Sequence, residues 1–440
     1  MLSFEENVYV LSMLVISVTI LVKNYRQRNP LEFWSPLTVI SLIYFYYVLV
    51  GPLLAIRNNE TYFRFIDHRE YVVYAWRISF IGLIGIISGF TLGRKKTIYN
   101  HVESEIHSEK DNVKKNGFRL FLIGLLGLTI FSGLGGVINK VSFWDINAFA
   151  RPGYEGAFRN YFLHAIDFFI PAIVILFIYV IKRKFSVFWF LVFLFLALAV
   201  YTKEGFRWRY VVLGLSLMIT YYCVVHKKPG LILITVIIIS GIAFMGFLGL
   251  TRNYGRGLDL TSITGKSNTE IFLEGFGESS IFMTTGLLVK DVPELFDHIN
   301  FDPLIQTIAM PVPRMIWPGK PSGDYIEIYE NLYGSKQFGY GTAVINFGEY
   351  YLSFGYIGVF VGGFLIGFFY RKIWDWFRRR PNDEAAIAFY AIAISYLYVI
   401  ISRGYLPQVT MLFFFAVFPA YIIYWLNRNR STAESSPTFR

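Results

Sequence analysis

The run Leu231-Ile232-Leu233-Ile234-Thr235-Val236-Ile237-Ile238-Ile239-Ser240 opens a stretch, residues 231–250, that carries no charged side chain. A helix of that length crosses the hydrocarbon layer of a bilayer, so the stretch reads as a membrane span. It runs into Thr251-Arg252-Asn253-Tyr254-Gly255-Arg256-Gly257, and the chain then stays largely polar to residue 343. The next span begins Ile345-Asn346-Phe347-Gly348-Glu349-Tyr350-Tyr351. Loops carry function more often than the scaffold does, so segment 251–343 and the helix it feeds are expected to be the working part.

Apolar runs recur on both sides of this landmark. Spans are expected at 7–22, 34–56, 71–92, 118–138, 161–181, 186–201, 210–225, 231–250, 344–370, 385–402 and 407–426. The fold class is therefore an all-α polytopic membrane protein of about eleven transmembrane helices, with one large extracytoplasmic loop between spans eight and nine. Residues 1–430 read as a single integral domain and 431–440 as a disordered cytoplasmic tail. The composition, 55% hydrophobic and 16% charged, excludes an ordinary soluble globule of 440 residues. The single cysteine, Cys223, lies in an apolar run, which excludes a disulfide framework and a cysteine zinc site. Glu5-Glu6 replaces a basic leader and no A-x-A-like site follows, so the first span is not expected to be a cleaved signal.

Alternate short loops are basic, at Lys23 to Arg28, Arg94 to Arg119, Lys182 to Lys184, Lys227 to Lys228, Arg371 to Arg380 and Arg428 to Arg440. That places them in the cytoplasm, with the N-terminus outside, the C-terminus inside and segment 251–343 outside. The same rule accounts for the formal charge of +11, and no nucleic-acid partner is expected. The outer side carries 12 Arg against 6 Lys, whereas the inner side carries 12 against 11. Topology does not require Arg over Lys, but a bidentate grip on phosphate or carboxylate does. The outward bias favours an anionic ligand; ordinary loop ion pairs are the plainer explanation for any single arginine.

Arg207 and Arg209 stand at the start of span seven, in Lys203-Glu204-Gly205-Phe206-Arg207-Trp208-Arg209-Tyr210. Spans six and seven, about 16 residues each, are short, so their shared turn is expected to be recessed. A recessed helix N-terminus with two arginines suits a lipid phosphate; interfacial anchoring by Arg and Trp is the alternative. The glycines around Arg256 make no phosphate loop, lacking its Lys-Ser/Thr ending. Residues 269–290 are expected to form an amphipathic helix lying on the surface. Pro311-Val312-Pro313-Arg314-Met315-Ile316-Trp317-Pro318-Gly319-Lys320-Pro321 fixes a rigid path that presents Arg314, Trp317 and Lys320. Tyr325, Tyr329, Tyr333 and Tyr340 follow, with rings for sugar faces or for a membrane-interface belt.

Span nine carries Glu349 into the membrane about one turn from its outer end, and a carboxylate there is a functional candidate by default. Arg403, at the outer end of span ten, is its expected partner; a purely structural ion pair is the alternative. The GxxxG spacings 358/362 and 363/367 read as close helix packing.

The run Asn346-Phe347-Gly348-Glu349-Tyr350-Tyr351-Leu352-Ser353-Phe354-Gly355-Tyr356-Ile357-Gly358, with the proline-rich stretch before it, resembles the Wzy-type oligosaccharide repeat-unit polymerases of bacterial O-antigen and capsule synthesis. Gly205-Phe206-Arg207-Trp208-Arg209, Thr251-Arg252, the span count and the large late loop are similar to that family too. The resemblance implies an inverting, GT-C-like glycosyltransferase of the bacterial inner membrane. Its substrate would be an undecaprenyl-diphosphate-linked oligosaccharide, with membrane lipid around it and a chain-length-regulating co-polymerase as a partner. In that setting Arg207, Arg209, Arg252 and Arg314 are expected to clamp the diphosphate, with Arg403, Lys320 and Trp317 as secondary contacts. Glu349 is the expected general base on the acceptor hydroxyl, and His298 the second choice. No cofactor and no metal is expected, since arginines can meet the charge and the outer loops hold no Asp-x-Asp. An O-antigen ligase shares donor and fold type, and a flippase is the rival from another class. The latter calls for inverted repeats and charges at mid-membrane.

Overall fold

A computed structural model describes residues 2–63, 66–93, 110–141, 143, 162–253, 256–312, 316–320 and 344–434. Eleven of the helices within them are long and apolar enough to cross a membrane. The spans before the long polar segment are α1 (Phe4–Arg26), α2 (Pro36–Arg57), α3 (Val72–Leu92), α4 (Lys110–Lys140), α5 (His164–Ile181), α6 (Val187–Glu204), α7 (Trp208–Val225) and α8 (Leu231–Thr251). Short helices α9 (Asn268–Leu273), α10 (Ser279–Asp291) and α11 (Asp302–Ala309) follow. Then come the spans α12 (Asn346–Arg378), α13 (Glu384–Ser402) and α14 (Leu406–Arg428). Every expected span is present, but α6 and α7 are each 18 residues, longer than the short pair read from the sequence. The last helix continues through Glu434 into the stretch expected to be a disordered tail, of which 435–440 lie outside the described residues.

One contiguous apolar core runs through the bundle, with α13 almost wholly buried at its centre. α1 and α8 show most of their apolar side chains on the outside. In a helix made of Ile, Leu and Val all round, that exposure is the face a lipid chain covers. Small residues set the close approach of α3 to α12. A Cβ at Gly363 or Gly367 would strike the backbone of Gly82 or Ile86, and one at Gly89 would strike the Phe364 carbonyl. This is the close packing expected from the 363/367 spacing.

Segments 268–291 and 344–355 do not stay at the surface. The first enters the bundle as a helical hairpin. Gly246 meets the Ile271 carbonyl, and Gly275 meets that of Ile242, which is about 13 Å along α8 from Thr251. α9 therefore descends beside α8, the chain turns at 274–278, and α10 climbs back, pairing Phe282 with Trp76 and Gly286 with the Tyr71 carbonyl. The single surface helix expected over 269–290 is corrected: the helix breaks at Glu274–Phe276, and α10 buries Phe282, Met283, Leu287, Leu288 and Val289. Its apolar face finds α3 and α12 instead of water.

The second return lies inside α12. Phe354 (φ −143°, ψ 25°) and Gly355 (φ 60°, ψ −151°) break that helix. Gly355 occupies a region open essentially only to glycine. Residues 346–353 fold back along the rest of the helix, so that the Tyr350 carbonyl reaches Gly358 and the Tyr350 ring covers Gly362. The 358/362 spacing thus serves a fold-back within one helix. Phe347 and Gly363 both meet Gly82, about 15 Å along α3. The chain accordingly starts α12 deep in the bundle and rises to Gly355 before it crosses. Glu349 sits on this returning half-helix, not one turn inside a simple span.

Candidate active site

The two returns meet where α13 ends. Around that point stand Glu274 and Glu278 from the hairpin turn, Arg207 from the α6–α7 turn, Arg252 after α8, Arg403 after α13, and Tyr398 within α13. Arg403 Nη2 donates to Glu278 Oε1 at 2.9 Å and the Tyr398 hydroxyl donates to Glu278 Oε2 at 3.0 Å. Arg207 and Arg252 also act on Glu278 through space. Arg207 Nη2 reaches Glu274 Oε1 at 3.3 Å, and Arg252 Nη1 donates to the Gly205 carbonyl at 3.3 Å. A π-helical stretch, Tyr44–Val50, swells α2 at this level and brings Tyr46 and Tyr47 close to Glu278. Such inserted turns are common at functional sites.

Three guanidinium groups thus face two carboxylates, an excess of one positive charge in a largely buried setting. Arg207 has 5% of its surface exposed, yet its Nε and Nη1 find no hydrogen-bond partner among the described residues. Buried donors without acceptors are costly, about 1–3 kcal/mol each, more for a charged group. An anion with several oxygens would satisfy both. Glu274 keeps a third of its side chain open (33%), so the cluster is reachable from its Glu274 side.

The structure separates the residues expected to act together. Arg207, Arg252 and Arg403 converge. Arg209 points elsewhere: its Nε donates to Asp167 Oδ1 at 2.6 Å, and its guanidinium stacks on Tyr201, Phe206 and Trp208. His164 lies 3.8 Å from the other Asp167 oxygen, so Arg209 belongs to an α5–α7 pair within the bundle. Arg403 pairs with Glu278, not with Glu349 as expected. Glu349, 1% exposed, accepts instead from the backbone: Tyr405 N–H at 2.9 Å and Leu406 N–H at 2.9 Å, with both carboxylate oxygens engaged. That is the geometry of a carboxylate capping the start of α14. His298 Nδ1 bonds the Leu352 carbonyl at 3.1 Å and braces the α12 break. Lys320 Nζ donates to the carbonyls of Met310 (2.8 Å) and Val312 (3.1 Å), and Trp317 is 43% exposed. Arg314 and the tyrosines at 325, 329, 333 and 340 lie outside the described residues.

Glu274, Glu278 and Asp167 were not picked from the sequence. Their signals were present, as Glu274-Gly275-Phe276-Gly277-Glu278 interrupts an apolar stretch and Asp167 is an acid inside span five. Among the described residues no three His, Cys, Asp or Glu side chains gather as a metal-binding group.

Compared with known proteins, residues 2–430 match the family model described as O-antigen polysaccharide polymerase Wzy. No curated protein and no solved structure matches the chain.

Proposed function

Since the chain belongs to the O-antigen polysaccharide polymerase Wzy family, we propose that it elongates glycans from undecaprenyl-diphosphate-linked repeat units. The work is assigned to the outer face of the bacterial cytoplasmic membrane, with the N-terminus outside. The observation that carries the site is Arg207: a buried cation with two open donors beside Arg252 and Arg403.

The reaction is a single displacement of the GT-C type. The hydroxyl oxygen of the incoming unit's non-reducing sugar bonds to the anomeric carbon of the growing chain. The bond from that carbon to the lipid diphosphate breaks, and the diphosphate leaves with the electron pair. Charge grows on the leaving oxygens, and fixed guanidinium groups in a water-poor pocket are suited to meet it. Arginine is fit for this because it stays charged and grips phosphate in a fork. The acceptor proton needs a base that substrate can reach. Glu349 is buried and capped by backbone N–H groups, and His298 stands at the α12 break, whereas Glu274 is open and adjoins Arg207. We assign the base role to Glu274, and Arg314, Trp317 and Lys320 to the approach of the sugar chain.

Gene deletion in the native host, followed by restoration with wild type, Arg207→Ala or Glu274→Gln, tests the reading through the surface glycan pattern on a gel. Polymerase activity predicts a ladder that collapses to a single repeat unit on its anchor in both variants at normal expression. Long polymer retained on undecaprenyl diphosphate would identify a ligase, and unchanged glycans would end the glycan reading. Activity of purified enzyme in excess chelator tests the assignment of charge stabilisation to arginine alone.

A further inference from the structure

We propose that Glu349 is a positioning residue that acts through Arg403; the inference rests on the anion site proposed above. One three-residue turn, Arg403-Gly404-Tyr405, joins α13 to α14 and is held from two sides. On one side Arg403 reaches Glu278. On the other, Glu349 takes the N–H groups of Tyr405 and Leu406, and the Gly404 N–H donates to the Val344 carbonyl. Tyr405 is held at φ 89°, ψ 71°, a region that side-chain-bearing residues avoid. A non-glycine residue stays there only where its surroundings over-determine it. Glu349 and Val344 supply that restraint. Gly404 is fitted against the same wall, since a Cβ there would come within 2.8 Å of Val344 Cγ2 and 3.1 Å of the Ile345 carbonyl.

Released from Glu349, the turn relaxes toward an ordinary backbone conformation, and Arg403, one residue before Gly404, moves with it. The same carboxylate neutralises the positive end of α14, so its removal also leaves two part-buried N–H groups without that acceptor. The consequence for function is loss of the fixed angle at which Arg403 faces Arg207 and Glu278. Glu349 thereby contributes to diphosphate affinity without touching substrate. A glutamine at this position keeps an oxygen that can accept from the turn, so Glu349→Gln is expected to be much milder than Glu349→Ala.

The test is a double-mutant cycle on the full-length protein in nanodiscs, with undecaprenyl diphosphate as the probe and its dissociation constant as the readout. Glu349→Ala is expected to weaken binding about tenfold when Arg403 is present and to have almost no further effect in the Arg403→Ala background. An equal loss in both backgrounds overturns the coupling while leaving the anion site standing. Wild-type binding by Arg403→Ala overturns the Arg403 part of the anion site, and this inference with it. If Glu349→Ala shows no thermal transition, the cycle is run with Glu349→Asp, whose shorter side chain draws the carboxylate back from the Tyr405 and Leu406 N–H groups. Full binding by Glu349→Gln with abolished elongation would make the residue a proton acceptor and refute the positioning role.

Discussion

Gly249→Ala separates stability from function at this site. Gly249 faces the Arg207–Glu274 pair from α8, and an added Cβ would stand 2.5 Å from Arg207 Nη2, 2.9 Å from Arg207 Cζ and 2.9 Å from Glu274 Cγ. To reach an ordinary 3.4 Å contact, Cζ retreats by about 0.5 Å and Nη2 by about 0.9 Å. Nε and Nη1, the donors open to phosphate, move with Cζ, so a charge-assisted bond of about 2.8 Å at its best stretches toward the edge of bonding distance. Losing one such bond costs roughly 1.5–3 kcal/mol, or about ten- to a hundredfold in affinity for undecaprenyl diphosphate. Meanwhile the helix gains, because alanine is better than glycine in a helix by up to about 1 kcal/mol. The assay pairs a thermal melt in detergent with a binding titration of undecaprenyl diphosphate. Melting at or above the wild-type temperature, with binding reduced at least tenfold, is the expected outcome. Unchanged binding refutes the placement of the anion at Arg207, and a parallel fall in melting temperature would trace the loss to folding instead.

Further perturbations probe the framework. Gly355→Ala introduces a Cβ that meets the His298 ring only at an ordinary 3.7 Å, so its cost is backbone conformation alone, about 1–3 kcal/mol; a wild-type melt would show that the α12 break is not enforced there. Asp167→Asn leaves Arg209 buried beside a neutral partner and is expected to cost about 3–5 kcal/mol. The apolar pair Asp167→Leu with Arg209→Met is expected to recover much of that stability, and loss of elongation at a recovered melting temperature would refute a purely structural pair. Gly89→Ala drives a methyl group into the Phe364 carbonyl and is expected to lower membrane accumulation, measured by immunoblot, as the α3–α12 seam opens. Wild-type levels and melting would count against that seam.

Span positions were legible because crossing a bilayer demands long apolar runs, and no other use of sequence imposes that demand so uniformly. The returns at 268–291 and 344–355 were not, for a physical reason. A half-helix buried in protein looks by composition like the start of a span, as at Asn346–Ser353, or like a surface helix, as at Ser279–Asp291. Periodicity gives which residues are apolar, not which neighbour covers them. Gly355 was visible as a glycine, but its left-handed dihedral is set by the fold-back that Gly358 and Gly362 permit. In the site, the arginine excess pointed to Arg207, Arg209, Arg252 and Arg314 because it reflects charge, which sequence records directly; Arg207 and Arg252 converge with the second-rank Arg403, whereas Arg209 turns to Asp167. Partner choice follows from three-dimensional placement. Arg403 lies closer to the hairpin's Glu278 than the order of spans suggested, and Glu349 went to the backbone of α14 instead.

We propose that this chain forms glycosidic bonds between lipid-linked units with Arg207 at the departing diphosphate. Purified protein in liposomes, given an undecaprenyl-diphosphate repeat unit as sole substrate, tests it by mass spectrometry of the lipid fraction. Lipid-linked dimers and longer chains are expected, with one undecaprenyl diphosphate released per bond formed, and both are expected to be lost with Arg207→Ala. Substrate recovered unchanged from the wild type, or chains elongated as well by Arg207→Ala as by wild type, would contradict it.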